Sequence, residues 1–440
     1  MKLTRELFVI LESEGTFVVY APLKGVVMRV NGGAVGLLKK IGSGYELLPC
    51  EKAVFEDFRS KGIVVDQQER IEVRKHTIYA PDSVTLMPTY DCNLRCTYCY
   101  ARGGEDVLPD MIFGIAKSAI DFVIKNAKAC PKKQVHLGFH GGGEPFYPRA
   151  MPLVMQATAY FKSMASKSGL KASTSVATNG TLNGGDLEWV IKNFTQINVS
   201  IDGPEDIQNR QRPMKGGGKS YDLVLKTIKE LEMSKCKYGL RATITSESVN
   251  RMPEIVEFFH SISPSLKSFH MEPLFECGRC RTSDEKTPDK RDFLENFLNA
   301  VKKAKTFGVK LHYSGAKLDK ISDTFCGAAG TNFFVGPEGL VTACLEVSRI
   351  EDDRADVFII GKYVPERRKF KFDREKIKNL SRRTVFNIPY CKDCFAKFNC
   401  AGDCLAKSYA LSRDLCDTSK MPRCEINQGI LLKEMVEQLQ

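Results

Sequence analysis

The chain has 440 residues, with 65 Lys and Arg against 53 Asp and Glu, a formal net charge of +12, and 16 cysteines. No apolar run is long enough for a signal peptide or a membrane span, so a cytoplasmic protein of two or three domains is expected, without a membrane partner. In a reducing compartment that many cysteines argue for metal sites over disulfides. The positive balance admits an anionic partner but is more simply a solvated basic surface, and no nucleic acid is expected.

Within residues 1–80, strands are predicted at 17–20 and 26–30. A helix at 33–42 ends on a glycine, a second helix spans 52–60, and a strand closes the unit at 62–65. Residues 81–280 alternate strand and helix. The strands fall at 83–89, 135–140, 173–178, 197–201, 240–245 and 268–273. A helix at 109–128 is marked by Ile112, Ile115, Ala116, Ala119 and Val123. Six such units imply an α/β fold with a parallel sheet curled as a partial barrel, whose chemistry sits at the C-terminal ends of the strands. Residues 281–325 read as a helical linker with an amphipathic helix at 289–307. Residues 326–440 form a cysteine-rich unit, in which the basic stretches 366–374 and 381–383 read as a linker or surface helix.

The short motifs fall where barrel chemistry belongs. After the first strand, Cys92, Cys96 and Cys99 stand at CxxxCxxC spacing, with Tyr98 before the last cysteine. Three thiolates can hold three corners of a cubane iron–sulfur cluster and leave its fourth iron open to a small molecule. A zinc knuckle or a disulfide loop would use the same cysteines. After the second strand comes His140-Gly141-Gly142-Gly143-Glu144-Pro145. Its glycines admit close approach of backbone to a ligand, and Glu144 can accept from an ammonium group. Thr178-Asn179-Gly180-Thr181 and Ser200-Ile201-Asp202-Gly203-Pro204 follow the third and fourth strands, and Arg241 lies on the fifth. Residues 206–219, with Arg210, Arg212 and three glycines, read as a mobile loop closing over the barrel mouth. The sixth strand leads through Glu272 to Cys277 and Cys280, which suit a redox pair, a cluster ligand or two idle thiols.

These motifs, in this order, resemble the radical S-adenosylmethionine (SAM) superfamily. The resemblance implies a [4Fe-4S] cluster on Cys92, Cys96 and Cys99. Its open iron is chelated by SAM, and electron transfer to SAM yields a 5′-deoxyadenosyl radical that abstracts hydrogen from a substrate. It also implies SAM contacts from Tyr98, from Gly142, Gly143 and Glu144 (the amino group), from Thr178, Asn179, Ser200 and Asp202, and from Arg241. Further on, Cys326, twelve residues, Gly339, four residues and Cys344 are followed by Cys391, Cys394, Cys400, Cys404, Cys416 and Cys424. This series is similar to the SPASM domain, which carries auxiliary [4Fe-4S] clusters. By that resemblance Cys391, Cys394, Cys400 and Cys424 hold an outer cluster, and Cys326, Cys344 and Cys404 an inner one. Cys277, Cys280 or an open iron completes the inner cluster, and Cys424 is preferred to Cys416 for the outer.

Residues 1–80 resemble the winged-helix-like domain of ribosomal-peptide maturases, where a leader peptide adds a strand to a sheet edge. The function expected is that of a maturase abstracting hydrogen from a peptide to give a thioether, another cross-link or an oxidised residue. A flavodoxin or ferredoxin would serve as electron donor. A sulfatase-type formylglycine-generating maturase, a radical enzyme acting on a small molecule or RNA, and a non-enzymatic iron–sulfur carrier are the alternatives. Glu272, Asp202 and Tyr98 are candidates for proton movement.

Overall fold

A computed structural model describes residues 1–43, 47–68, 78–106 and 108–440. The strands are β1 (Lys2–Leu3), β2 (Phe8–Ser13), β3 (Thr16–Ala21), β4 (Val26–Asn31), β5 (Val64–Val65), β6 (Ser83–Leu86), β7 (Gln134–Phe139), β8 (Lys171–Thr178), β9 (Gln196–Ser200), β10 (Tyr238–Ile244), β11 (Ser268–Pro273), β12 (Lys310–His312), β13 (Phe334–Val335), β14 (Leu340–Thr342), β15 (Ile359–Val364) and β16 (Lys369–Phe372).

β6 to β11 stand side by side in chain order and pair in parallel, as six successive βα units dictate. This is the expected α/β partial barrel. Two additions were not foreseen. Three-residue β12 continues the parallel run beyond β11, too short to show a residue pattern. At the other edge β13 pairs in parallel with β6, and β14, β15 and β16 extend the sheet antiparallel, so eleven strands form one sheet. One apolar core runs under all of it, from Val84 and Leu137 to Phe358 and Leu405.

The N-terminal unit is a three-stranded antiparallel sheet in the order β2-β3-β4, with helices Gly32–Gly42 and Lys52–Ser60 beside it. β1 and β5 pair antiparallel below. β2 escaped prediction because Phe-Val-Ile-Leu is apolar on both faces: Val9 and Leu11 point outward, 42% and 62% exposed. β3 turns Val18 and Tyr20 onto Ala396, Cys400, Leu431 and Met435 near the C-terminus, and Tyr20 Oη donates to Asn399 Oδ1 at 2.7 Å.

Other boundaries moved for identifiable reasons. The helix expected from 109 runs Phe113–Ala129 instead. Met111 N donates to Pro88 O at 2.9 Å and Ile112 is extended, so residues 109–112 tie down the end of β6 first. The basic stretch 366–374 is no linker. It turns at Pro365–Arg367 into β16, where Lys-Phe-Lys-Phe alternates charged side chains outward with Phe370 and Phe372 inward. Both rings reach Phe333, at centroid distances of 5.2 and 5.9 Å, and Phe333 meets Phe122 at 5.3 Å. Arg383 is likewise not on a surface helix. It is 1% exposed and donates to the carbonyls of Gly402, Asp403 and Leu415. Among the described residues no helix is long and apolar enough to cross a membrane.

Phe333 joins the barrel helix to the β16 edge. Phe333→Ala is expected to cost about 3–5 kcal/mol of stability, read as a lowered chemical-denaturation midpoint of the reconstituted chain.

Candidate functional site

The loop after β6 carries Cys92, Cys96 and Cys99, and its conformation is fixed by two arginines. Arg95 Nη1 donates to the carbonyls of Cys92 (2.9 Å) and Leu94 (2.8 Å), and its Nη2 to Gly104 (2.6 Å). Arg279 Nη1 donates to Cys96 O at 2.7 Å and its Nη2 to Gly103 O at 3.0 Å, while its Nε pairs with Glu105. The loop thus has its carbonyls drawn outward, and two amides turn toward sulfur: Leu94 N lies 3.4 Å from Cys92 Sγ and Gly103 N 3.5 Å from Cys99 Sγ. The Cys92 thiol is pushed up to about 12, chiefly by burial and further by Cys96, Glu144 and Cys99, with the Leu94 amide opposing the rise.

The glycine strap after β7 lies directly against this loop. Gly143 N donates to Thr89 O and Glu144 N to Asp91 O, both at 2.8 Å. A Cβ on Gly143 would stand 1.9 Å from Asp91 O, so only glycine fits. Gly142 takes φ +70° beside Thr89. Glu144 is buried and accepts from Thr178 Oγ1 (2.7 Å), Asn179 N (2.7 Å) and Phe146 N (3.2 Å). Desolvation raises its pKa against those bonds. A carboxylate has about four acceptor sites, so one more donor can be taken. Asn179 Nδ2 bonds Asn93 Oδ1 at 2.8 Å and lies 3.8 Å from Cys92 Sγ, which ties the third-strand turn to the cysteine loop.

Asp202 is placed differently from a ligand-facing carboxylate. It is 1% exposed and accepts from Tyr98 Oη (2.6 Å), Gln211 Nε2 (2.9 Å) and Thr243 N (3.0 Å). Tyr98 in turn accepts from Arg212 Nη1 at 2.6 Å. Ser200 ends β9 half-buried and stands in register with Arg241 on β10. Arg241 is exposed, and its charge reaches Tyr100, His140 and Glu272. Burial works to raise Glu272, but its hydrogen bond to His270 (2.6 Å) and the charges of Arg423 and Arg241 hold its pKa below the usual carboxylate range.

Residues 206–219, expected as a mobile loop, begin within helix Glu205–Gln211 and then pair with the cysteine loop. Arg95 N donates to Pro213 O (2.7 Å), Thr97 N to Gln211 O (2.9 Å) and Lys215 N to Asn93 O (2.7 Å). Arg212, buried beneath, was not singled out as a site residue. Its signal lay in the sequence only as one arginine among several. Arg279 was equally hidden, inside a CxxC whose cysteines drew attention. Cys280 is turned into its own loop, with Sγ 3.1 Å from Glu285 O.

The C-terminal cysteines fall into two electrostatically coupled groups. In the first, Cys400 and Cys424 are raised by burial, and then by Asp403 and by cysteines of the set: Cys400 by Cys424 and Cys391, Cys424 by Cys391 and Cys394. Side-chain donors face this set: Asn427 Nδ2 is 3.1 Å from Cys400 Sγ and Gln428 Nε2 3.4 Å from Cys394 Sγ. In the second, Cys344 is raised by burial, Glu346, Cys404 and Cys326. Cys416 feels Asp414 and Arg383 and no cysteine.

The residues fit the cofactors. Three thiols on one loop, amides aimed at two of them and glycines in the strap alongside make a cradle for a three-cysteine cubane, and the two further groups suit auxiliary clusters.

Gly278 is another position that admits only glycine. It takes φ +58°, and a Cβ there would lie 2.4 Å from the carbonyl oxygens of both Cys99 and Tyr100. Gly278→Val is expected to displace the Arg279 clamp and cut iron incorporation at the first cysteine loop severalfold, while Cys416→Ala leaves iron per chain unchanged and Cys424→Ala lowers it. Iron and sulfide analysis after anaerobic reconstitution checks all three.

Comparison with known proteins agrees. A model of the radical SAM superfamily matches residues 86–259. The cysteine-type anaerobic sulfatase-maturating enzyme of Clostridium perfringens is 26% identical over 290 residues, covering 60% of this chain and 74% of that protein. The sporulation killing factor maturation protein SkfB of Bacillus subtilis is 25% identical over 290 residues, covering 63% and 65%. Native anSMEcpe with bound AdoMet superposes with a TM-score of 0.62 at 17% identity, covering 81% of this chain and 98% of that one. Streptococcus suis SuiB bound to precursor peptide SuiA superposes with a TM-score of 0.55 at 14% identity, covering 96% and 99%. The chain thus carries a radical SAM domain and is an enzyme with a [4Fe-4S] cluster and SAM as its cofactors, similar to maturases that share that domain.

Proposed function

We propose that this enzyme modifies a leader-bearing peptide, with Cys92, Cys96 and Cys99 as the ligands of the SAM cluster. When bound, the cluster and SAM supply a radical that removes a hydrogen from the substrate. The chain's own residues orient and enclose. Glu144 offers its remaining acceptor capacity to the SAM amino group, with Gly142 and Gly143 admitting close approach and Thr178 and Asn179 fixing the carboxylate. Ser200 and Arg241 face the open barrel mouth beside it. Asp202 and Tyr98 act one layer back, holding Arg212 under the cysteine loop. We assign Cys391, Cys394, Cys400 and Cys424 to an outer auxiliary cluster and Cys326, Cys344 and Cys404 to an inner one. A small one-electron carrier of the flavodoxin or ferredoxin kind supplies electrons.

The observation that carries the peptide reading is the N-terminal sheet. Its outer strands β2 and β4 pair on one side only among the described residues, and its β3 face is seated on the outer cysteine group. A sheet edge presents unpaired amides and carbonyls to which an extended peptide adds by main-chain hydrogen bonds. SkfB is a maturation protein, and SuiB was solved with a precursor peptide; both support a peptide substrate here. We divide the chain accordingly into a recognition unit at 1–80, the barrel at 81–280, a linker at 281–325 and the auxiliary-cluster unit at 326–440. Identity to sulfatase-maturating enzymes favours a second reading, formation of formylglycine on a protein substrate.

The test is anaerobic turnover with SAM, a reductant and the peptide of a short reading frame beside the gene. The expected outcome is loss of two hydrogens from the peptide with matching 5′-deoxyadenosine, and a KM at least tenfold higher once the leader is removed. Equal turnover of the leaderless peptide would favour the sulfatase-type reading. SAM cleavage with every peptide left unchanged would remove the peptide reading.

A further inference from the structure

Helix Arg423–Gln438 brings more than Cys424 to the outer cysteine group. We propose that Asn427 and Gln428 are positioning residues of the cluster held by Cys391, Cys394, Cys400 and Cys424, and that their amide groups raise its reduction potential. The inference rests on the assignment of those four cysteines to an auxiliary cluster.

Asn427 and Gln428 stand three and four residues beyond Cys424, so one turn of helix puts the thiol and both amides on the same face. Asn427 Nδ2 lies 3.1 Å from Cys400 Sγ, and Gln428 Nε2 lies 3.4 Å from Cys394 Sγ. A single helix thus offers a thiol to the group and a donor to two of the three thiols that come from elsewhere. At the first cysteine loop, by contrast, the nearest donors to sulfur are backbone amides, Leu94 N and Gly103 N.

Asn427 is built to donate. It is 1% exposed, and its Nδ2 has two acceptors, Cys400 Sγ and Asp403 Oδ2 at 3.0 Å. The carboxylate anchors one amide hydrogen and leaves the other to the sulfur. Asp403 is itself held by Arg423, whose Nε lies 3.3 Å from Oδ2. Turning the amide over would set its oxygen against both a carboxylate and a sulfur, so electrostatics fixes this orientation. The oxygen is left over. Asn427 Oδ1 is buried without a hydrogen-bond partner, against Gly315, where a Cβ would stand 2.3 Å from it. A leucine would fill the same space without leaving an oxygen unsatisfied. Packing alone therefore does not account for the amide; its N–H toward sulfur does.

Hydrogen bonds to sulfur are among the factors that set the potential of an iron–sulfur cluster. A ligating sulfur carries more negative charge when its cluster is reduced, so a donor aimed at it stabilises the reduced form more than the oxidised one. Two such donors make the outer cluster easier to reduce than the same four thiolates would be alone.

The experiment uses the full-length chain with Cys92, Cys96 and Cys99 replaced by Ala, so that only auxiliary clusters load on anaerobic reconstitution. Iron content, circular dichroism and a redox titration followed by electron paramagnetic resonance are recorded. Cys400→Ala and Cys424→Ala come first, and the signal they remove identifies the outer cluster. If neither lowers iron by one cluster's worth, the four-cysteine assignment falls and the inference with it. If they do, Asn427→Leu is expected to keep its fold and iron and to lower the midpoint of that signal alone. Reduction becomes about tenfold less favourable, which is about 59 mV for a one-electron couple. Gln428→Met keeps the length and removes the donor; it is expected to lower the midpoint by a smaller amount, its donor being farther from sulfur. An unmoved or raised midpoint in Asn427→Leu, or an equal shift of both auxiliary signals, would overturn the proposal. Should Asn427→Leu lose its fold or its iron, Gln428→Met decides: a lowered outer midpoint supports the proposal and an unmoved one refutes it.

Discussion

Everything at the barrel mouth depends on how ten residues of irregular backbone are made to hold still. A loop that turns its amides toward sulfur leaves its carbonyls without partners, and buried carbonyls require donors. Arg95 and Arg279 supply them with planar, multiply donating groups. One of these arginines comes from within the loop. The other comes from beyond β11, some 180 residues later in the chain. The shape of the loop therefore depends on a contact that the chain supplies only beyond the sixth parallel strand.

The glycines and the pairing of residues 211–215 with the loop serve the same constraint. Backbone is pressed on backbone from three sides: the strap at Thr89 and Asp91, the extended segment at Asn93, Arg95 and Thr97, and the Gly278 turn at Cys99. Contacts this close admit no side chain, and rigidity follows from exclusion of volume as much as from hydrogen bonds. Polar residues that look ligand-facing by motif, such as Asp202, are partly absorbed into this scaffold. Among the residues proposed to face the ligand, Glu144 keeps spare acceptor capacity and Arg241 keeps exposure.

Much of this was legible in the sequence because local spacing encodes it. Six strands alternating with helices, a CxxxCxxC after the first and glycine turns after the next three all concern residues close in the chain. Residues 366–374 were misread because charge was taken as the signal and the two-residue period of Lys-Phe-Lys-Phe was not. The pairing of residues 211–215 with Asn93, Arg95 and Thr97 was not legible, because the partners lie more than a hundred residues away in the chain. Arg212, Arg279 and Arg383 carry no local pattern. Each acquires its role from groups that only the fold brings alongside.

The seating of β3 on helix Arg423–Gln438 joins residues far apart in the chain: Val18 and Tyr20 pack with Leu431 and Met435. The N-terminal sheet also has its own small core of Val19, Leu37, Phe55 and Phe58. Its two faces therefore have different duties, one closing the sheet on its own helices and the other covering Cys400 in the shared contact. A displacement of the sheet would be felt at that thiol, so recognition at the sheet and the chemistry of the cysteine-rich unit share one packed surface.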